Sequence, residues 1–320
     1  MFSFIKWLQQ LLSALQKNKG IWFTTLTLAS ASGIFISMYL INTMTSTVAI
    51  KTYLEERRVD LAQLDNFQTN HYDQLLTIGS VLSIDKETLV YFKNVDRKSI
   101  EAKFDETIKS INSHIITSEL KVKYYFSNRN FDVNGSENRQ FAEMVMETDS
   151  PLSGMVVNKD GVRLVGFVPV VDDKNISLGV IEVSKSVHTI KDDFINMGKE
   201  FVFIIDKHQL VFLDLKHKTG TYQDIDDQYK VAFHNYDSNF YINAQNFEIK
   251  EMLRMKYKND AKYFTTFEEI TDLNGRIIGL ALVGEDAKNA NSFVKITQNM
   301  INSVTTVALG LVISLIMFMF

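Results

Sequence analysis

Hydrophobic positions along this chain change period several times, and each change marks an element. Ile21 to Ile41 is a run of 21 residues without a charge, long enough to cross the hydrocarbon core of a bilayer. Thr43 to Leu82 carries Leu54, Leu61, Leu64, Leu75, Ile78 and Leu82 mostly at three- and seven-residue steps, with no proline, which predicts one long helix continuing from that run. Its apolar stripe either packs on its own domain or pairs with a second chain, as in a coiled coil. Ser83 opens a second helical piece and Asp96 to Thr117 a third, in which Ile100, Phe104, Ile108, Ile111 and Ile115 form one apolar face. The period then drops to two. Leu120 to Phe126 alternates and is rich in aromatics, which predicts a strand. A polar loop, Asn128 to Asn138, leads to a short helix from Arg139 to Thr148.

Ser153 to Ser184 reads as three strands joined by two turns, Asn158-Lys159-Asp160-Gly161 and the polar run Asp172 to Asn175. Asp-Gly between apolar runs is a hairpin signal, because glycine accepts the positive φ such turns need. Val187 to Met197 reads as a connecting helix ended by Gly198, and Phe201 to Asp206 with Leu210 to Leu213 as a hairpin. Asp224 to Leu253 has no stable period and reads as a short helix and loops. Tyr263 to Glu269 and Arg276 to Val283 are strands joined across Asp272-Leu273-Asn274-Gly275, again with an Asn-Gly turn. Asp286 to Asn302 is a polar helix leading to a second apolar run, Val304 to Phe320. One internal repeat stands out: Leu178-Gly179-Val180-Ile181-Glu182-Val183 matches Ile278-Gly279-Leu280-Ala281-Leu282-Val283, each after a strand and a polar turn. Two small sheet modules in series follow from it.

Charge sets the orientation. Lys6, Lys17 and Lys19 precede the first apolar run while Asn42 to Ile50 is uncharged, which puts the N-terminus in the cytoplasm and the following domain outside. The competing reading of Ile21 to Ile41 is a cleaved signal peptide with Ala29-Ser30-Ala31 as its small-residue site; cleavage there would leave an apolar mature N-terminus. Phe2 to Leu15 has helical apolar spacing and forms either an amphipathic helix on the inner membrane face, with Trp7 near the interface, or an extension of the span. The second apolar run has 17 residues with no basic residue after it. A span normally emerges into positively charged sequence, so the chain is expected to be a piece of something longer; a protein ending in the bilayer is the alternative. Net charge is -4 on 34 basic and 38 acidic residues, which gives no reason to expect a nucleic-acid partner. Zero cysteines exclude disulfides and thiolate chemistry.

A long helix, a sheet module, a second sheet module and a return to the membrane is a layout similar to that of double Cache sensor domains. Lys159 to Val170, with Gly161 and Pro169, followed by Leu178 to Val183, with Gly179 and Glu182, resembles the G-x-x-x-x-x-x-x-P to G-x-x-E pattern of one such subfamily. That subfamily often has Arg where Val165 stands and a His-containing strand that has no counterpart around Tyr124-Tyr125. The Tyr-x-x-Arg-x-Trp-Tyr cluster of an amino-acid-binding subfamily is absent. The resemblance implies an α+β fold: a long N-terminal helix and two PAS-like antiparallel sheet modules in series, flanked by two transmembrane helices. The expected division is 1–20 amphipathic cytoplasmic N-terminus, 21–43 first transmembrane helix, 44–300 extracytoplasmic sensor and 301–320 second transmembrane helix. Within the sensor, 44–82 is a stalk helix, 83–186 a membrane-distal module and 187–300 a membrane-proximal module. The implied protein is a bacterial inner-membrane receptor, a homodimer, whose outer domain binds a small molecule. Its missing cytoplasmic part is a chemotaxis signalling hairpin, a histidine kinase or a diguanylate cyclase. A membrane-anchored structural or interaction module without a small ligand is the alternative.

No catalytic constellation is visible. The six histidines are scattered without metal-ligand spacing, and there is no phosphate loop and no G-x-S-x-G, so neither an enzyme, a metal nor a cofactor is expected. The repeat offers one sharper signal: Glu182 stands where the second copy has Leu282. A mid-strand carboxylate either reaches solvent or faces a partner in a cavity, and in the second case the distal module keeps a polar pocket that the proximal one fills. The candidate ligand residues are Tyr124, Phe126, Arg139, Arg163 and Glu182, with Tyr125 in reserve, because such pockets combine convergent polar groups with aromatic walls. Arg139 could equally lie on the surface, and Arg163 could alternate outward from its strand.

Overall fold

Helix α1 runs unbroken from Lys19 to Ser83, 65 residues. Both prolines of the chain, Pro151 and Pro169, lie elsewhere, so nothing interrupts its hydrogen-bond ladder. Where the helix is uncharged, Thr43, Thr45 and Thr47 return their hydroxyls to carbonyls four residues back, as Thr52 does just beyond, which satisfies them without water. Phe35, Tyr39 and Met44 point outward from it. Among the described residues this is the one helix apolar and long enough to cross a membrane, at a mean hydropathy of 1.4. The computed structural model describes residues 13, 19–114, 120–127, 138–212, 222–224, 227–232, 239–240, 249–260, 262–286, 299–310 and 313. The expected N-terminal amphipathic helix and most of the second apolar run lie outside these; 299–310 is helical. Two compact units result, Arg57–Asn289 and Met1–Glu56 with Ala290–Phe320.

The unit Arg57–Asn289 holds both sheets. After α1 come α2 (Lys86–Lys93), α3 (Arg97–His114), β1 (Lys121–Phe126), α4 (Arg139–Thr148), β2 (Leu152–Asn158), β3 (Gly161–Val171) and β4 (Ser177–Ser186). The connector α5 (Thr189–Asn196) leads to β5 (Glu200–Asp206), β6 (Tyr222–Asp224), β7 (Tyr229–Ala232), α6 (Ile249–Met255), β8 (Tyr257–Asn259), β9 (Tyr263–Thr271) and β10 (Ile277–Asp286). The first sheet, called distal after the expected division of the chain, has the order β1-β4-β3-β2, and the second, called proximal on the same basis, β6-β7-β5-β10-β9-β8; both are antiparallel throughout. These are the expected two antiparallel modules behind a long helix.

One apolar core runs along α1 and joins the inner faces of both sheets: Leu64, Leu75 and Leu82 of α1 cluster with Leu164, Ile181 and Val183 and with Phe203, Ala281 and Val283. Leu75 and Leu76 lie directly over Gly166 of β3. The outer face of the distal sheet is covered by α4, through Phe141, Ala142 and Val145. The outer face of the proximal sheet carries a second cluster with Phe240, Tyr263, Leu280 and Leu282.

The sequence repeat is a structural one. β4 and β10 are each central strands, and in each the odd positions (Ile181 and Val183, Ala281 and Val283) face α1 while the even ones face outward. Gly179 and Gly279 occupy the same place beside a register irregularity. A Cβ at Gly179 would lie 2.1 Å from the Tyr125 carbonyl oxygen, and one at Gly279 2.1 Å from that of Ile204. Either position therefore has room for a hydrogen atom alone. Gly179→Ala is expected to destabilise the chain by about 2–3 kcal/mol, because backbone rather than a side chain must move; the urea-unfolding midpoint measures it, and a cost within 0.5 kcal/mol of zero would show that the strands part freely.

Two expectations need correction. Leu210 to Phe212, the described part of the expected second strand, does not pair with β5; Lys207–Phe212 is a 3₁₀ turn, in which Asp206 accepts the His208 N–H at 2.8 Å and bends the chain. β5 pairs instead with β10 and β7; β7 lies in the stretch read as helix and loops, and β6 ends where that stretch begins. The connecting helix, the α3 and α4 helices and the β9–β10 hairpin are where the periodicity put them.

Candidate ligand-binding site

The pleat decides which residues can meet at the distal sheet. In the register of β1 against β4, Lys123 lies opposite Glu182 and Tyr125 opposite Val180; in that of β3, Phe167 lies opposite Glu182. Alternation puts Tyr125, Glu182, Ser184, Arg163 and Phe167 on the outer face, under α4. Glu182 has no exposed surface. Its carboxylate accepts the Tyr125 hydroxyl at 2.5 Å and both oxygens lie 3.2 Å from Nδ2 of Asn138. Bonds to an ionised acceptor are the short, strong ones, and a buried carboxylate without them would be costly.

Asn138 precedes α4 in the capping position, yet its side chain caps nothing, because it is committed to Glu182. The start of α4 is therefore tied to the sheet through Asn138, and again through Arg139, whose Nη1 donates to the Phe126 carbonyl at 2.7 Å while Nε donates to Glu143 at 3.0 Å. Arg163 is buried on the same face; it donates from Nε to Ser184 Oγ and from Nη2 to the Ser184 carbonyl, both at 3.1 Å. Asn158, also buried, accepts the Asp160 N–H through Oδ1, and its Nδ2 has no hydrogen-bond partner among the described residues. The apolar wall is Phe141, Val145, Val156, Val165, Phe167 and Val180.

Of the candidate residues, Glu182 and Arg163 share this face and Arg139 anchors its rim. Tyr125, held in reserve, bonds Glu182 directly. Tyr124 and Phe126 lie on the opposite face, with the α2 and α3 aromatics: Phe126 packs 5.4 Å from Phe92, and the Tyr124 hydroxyl donates to Glu101 at 2.8 Å. Asn138 was missed altogether, since it sits at the end of a polar loop where nothing distinguishes it. In the proximal module Leu282, the counterpart of Glu182, is packed in the Phe240, Tyr263 and Phe267 cluster. Among the described residues no group of histidines and carboxylates is placed to hold a metal.

No protein-family profile and no curated protein matches the chain. Solved structures do. The sensor domain of the Vibrio cholerae histidine kinase DctB is 15% identical, with 73% of this chain and 98% of that one covered and a TM-score of 0.38. The ligand-binding domain of the Pseudomonas aeruginosa amino acid chemoreceptor PctC, in complex with GABA, is 13% identical over 72% and 98%, at 0.36. That of the Pseudomonas fluorescens chemoreceptor CtaA, in complex with L-alanine, is 12% identical over 75% and 98%, also at 0.36. The chain's own layout, with a long helix, a four-stranded module, a connector and a second antiparallel module, is the one expected from the resemblance to double Cache sensor domains.

Proposed function

We propose that this chain is the sensing part of a bacterial transmembrane receptor, with a small polar ligand bound on the outer face of the distal sheet beside Glu182, Tyr125, Asn138 and Arg163. The observation that carries this reading is Glu182: a fully buried carboxylate, held by two side-chain donors, at the position where the repeated module has an apolar residue. A carboxylate so placed accepts a donor group from a ligand only in exchange for a donor it already has. Asn138 is the exchangeable one, at 3.2 Å against 2.5 Å for Tyr125. Its release gives up one of the two ties that hold the start of α4 to the sheet, and the displacement passes through the modules toward the membrane as a bias between two arrangements. The receptor works as a homodimer in the inner membrane, the sensor lies outside, and the output is a chemotaxis signalling hairpin or, as second choices, a kinase or cyclase.

The test is thermal unfolding of the full chain in detergent against a library of small polar metabolites. A saturable rise in melting temperature is expected for one compound class, with affinity falling tenfold or more in Glu182→Gln, about what one charged hydrogen bond contributes. A shift that persists unchanged in both Glu182→Gln and Arg163→Gln would place the ligand elsewhere.

A further inference from the structure

On the inner side of the same strand, a second polar cluster joins three elements. His71 of α1 is 9% exposed and faces the end of β4 and the connector α5. Both of its ring nitrogens are engaged: Nδ1 contacts the Lys185 ammonium, and Nε2 lies 2.7 Å from Oδ2 of Asp193. An ammonium only donates and a carboxylate only accepts, so Nδ1 is the acceptor and Nε2 carries the proton. One tautomer of the neutral ring satisfies both neighbours. Lys185, 5% exposed, has a second acceptor in Oε1 of Gln74 at 3.1 Å. The cluster lines a cleft of about 400 Å³ whose charged groups are Lys185 from β4 and Asp192 and Asp193 from α5; α1 adds Gln74 beside His71, and Leu75, Ile78 and Leu120 close the apolar side.

A proton arriving at Nδ1 meets the Lys185 ammonium, and the acceptor beside the ring, Gln74, already holds Lys185. It would set an imidazolium N–H against an ammonium N–H, two donors facing each other, so that either Lys185 withdraws or the ring turns. Either movement breaks the His71–Lys185 contact, one of the links between α1 and β4. Burial and the neighbouring Lys185 hold the proton affinity of His71 below the ordinary histidine value, and the opposing pull of Asp193 and Gln74 does not make up the difference. Burial likewise lowers Lys185 to about 8. A depressed folded-state value for His71 means that the packed arrangement prefers the neutral ring. The stability this contributes is complete above the ordinary histidine pKa of about 6.5 and is lost as pH falls through the lower folded value. Eleven residues earlier on α1, Asp60 makes the other buried clasp, accepting from Lys199 at 2.5 Å and from Thr266 at 2.8 Å. That clasp contains no imidazole, so mild acid loosens one attachment of the helix and not the other.

We propose that the His71–Lys185–Asp193 cluster is a second sensing site whose ligand is the proton, and that its protonation frees α1 from β4 and the connector. The proposal is independent of the small-molecule site on the outer face. The native chain has no cysteine, so two introduced ones can carry spin labels on the full chain in lipid nanodiscs. Asn70→Cys on α1 and Met197→Cys at the end of α5 are both exposed positions. A single inter-label distance is expected at pH 7.5, with a longer population growing as pH falls and a midpoint below 6.5. His71→Gln is expected to abolish the dependence on pH. Lys185→Met removes the opposing charge and is expected to raise the midpoint by about one pH unit, and Asp193→Asn to lower it by a similar amount. A cluster with a purely packing role would loosen equally at every pH in all three variants. An unchanged distance from pH 7.5 to 4.5 in the labelled parent would overturn the proposal. So would a midpoint that stays put in both Lys185→Met and Asp193→Asn.

Discussion

Asp60→Ala is expected to cost about 3–5 kcal/mol of unfolding free energy, the usual penalty for removing one member of a buried ion pair. Asp60 is 2% exposed on α1; it accepts from Lys199, just before β5, at 2.5 Å and from Thr266 of β9 at 2.8 Å. Removing the carboxylate leaves a Lys199 side chain that is only 11% exposed facing an apolar gap. Urea unfolding followed by circular dichroism measures the loss. The paired change Asp60→Leu with Lys199→Met is expected to recover most of it, since a well-packed apolar pair of similar volume stands in for buried charges at little cost. A loss below 1 kcal/mol for Asp60→Ala would mean that Lys199 swings out to water and that α1 is not held there.

Phe194→Ala is expected to cost a similar amount, about 3–5 kcal/mol, through the cavity it leaves. Phe194 lies on the connector α5 with no exposed surface, its ring stacked on Phe201 at 5.4 Å and set edge-on to Phe67 of α1 at 5.0 Å. Three elements therefore lose contact at once. Phe212, half exposed on the 3₁₀ turn, is the control: Phe212→Ala should stay within about 0.5 kcal/mol of the parent. If the two variants melt alike, the connector is not a packed joint.

What the sequence made legible follows from the range of the forces involved. The turns at Gly161 and Gly275 were readable because positive φ (102° and 74°) is a local requirement that glycine meets at once. The helix from Arg139 to Thr148 was readable from its own periodicity. β6 was not, because three residues, Tyr222 to Asp224, cannot display a period. On the outer face the parity of β1 was the obstacle. Choosing between Tyr125 and the pair Tyr124 and Phe126 requires the pairing of β1 with β4, strands more than fifty residues apart, and a slip of one residue exchanges the two faces. Glu182 could be singled out through its repeat partner Leu282 and through the G-x-x-E pattern that its strand resembles. Asp60 could not be: it ends the charged run Glu55-Glu56-Arg57-Arg58-Val59-Asp60, in which the one buried carboxylate looks like its solvated neighbours. His71, Lys185 and Asp193 come together across more than a hundred residues, and no short-range pattern announces that meeting.

Strand β4 carries Glu182 on one face and Lys185 on the other, three residues apart on a single stretch of backbone. A strand hydrogen-bonded on both sides shifts as one piece, so an occupant that draws on Glu182 and a proton that displaces Lys185 act on the same rigid element. Thermodynamic reciprocity then fixes their relation: whatever factor acidification imposes on the affinity for the occupant, the occupant must impose on the affinity of His71 for its proton. If both proposed sites hold, the output would be a concentration weighted by acidity, with two inputs multiplied in one strand.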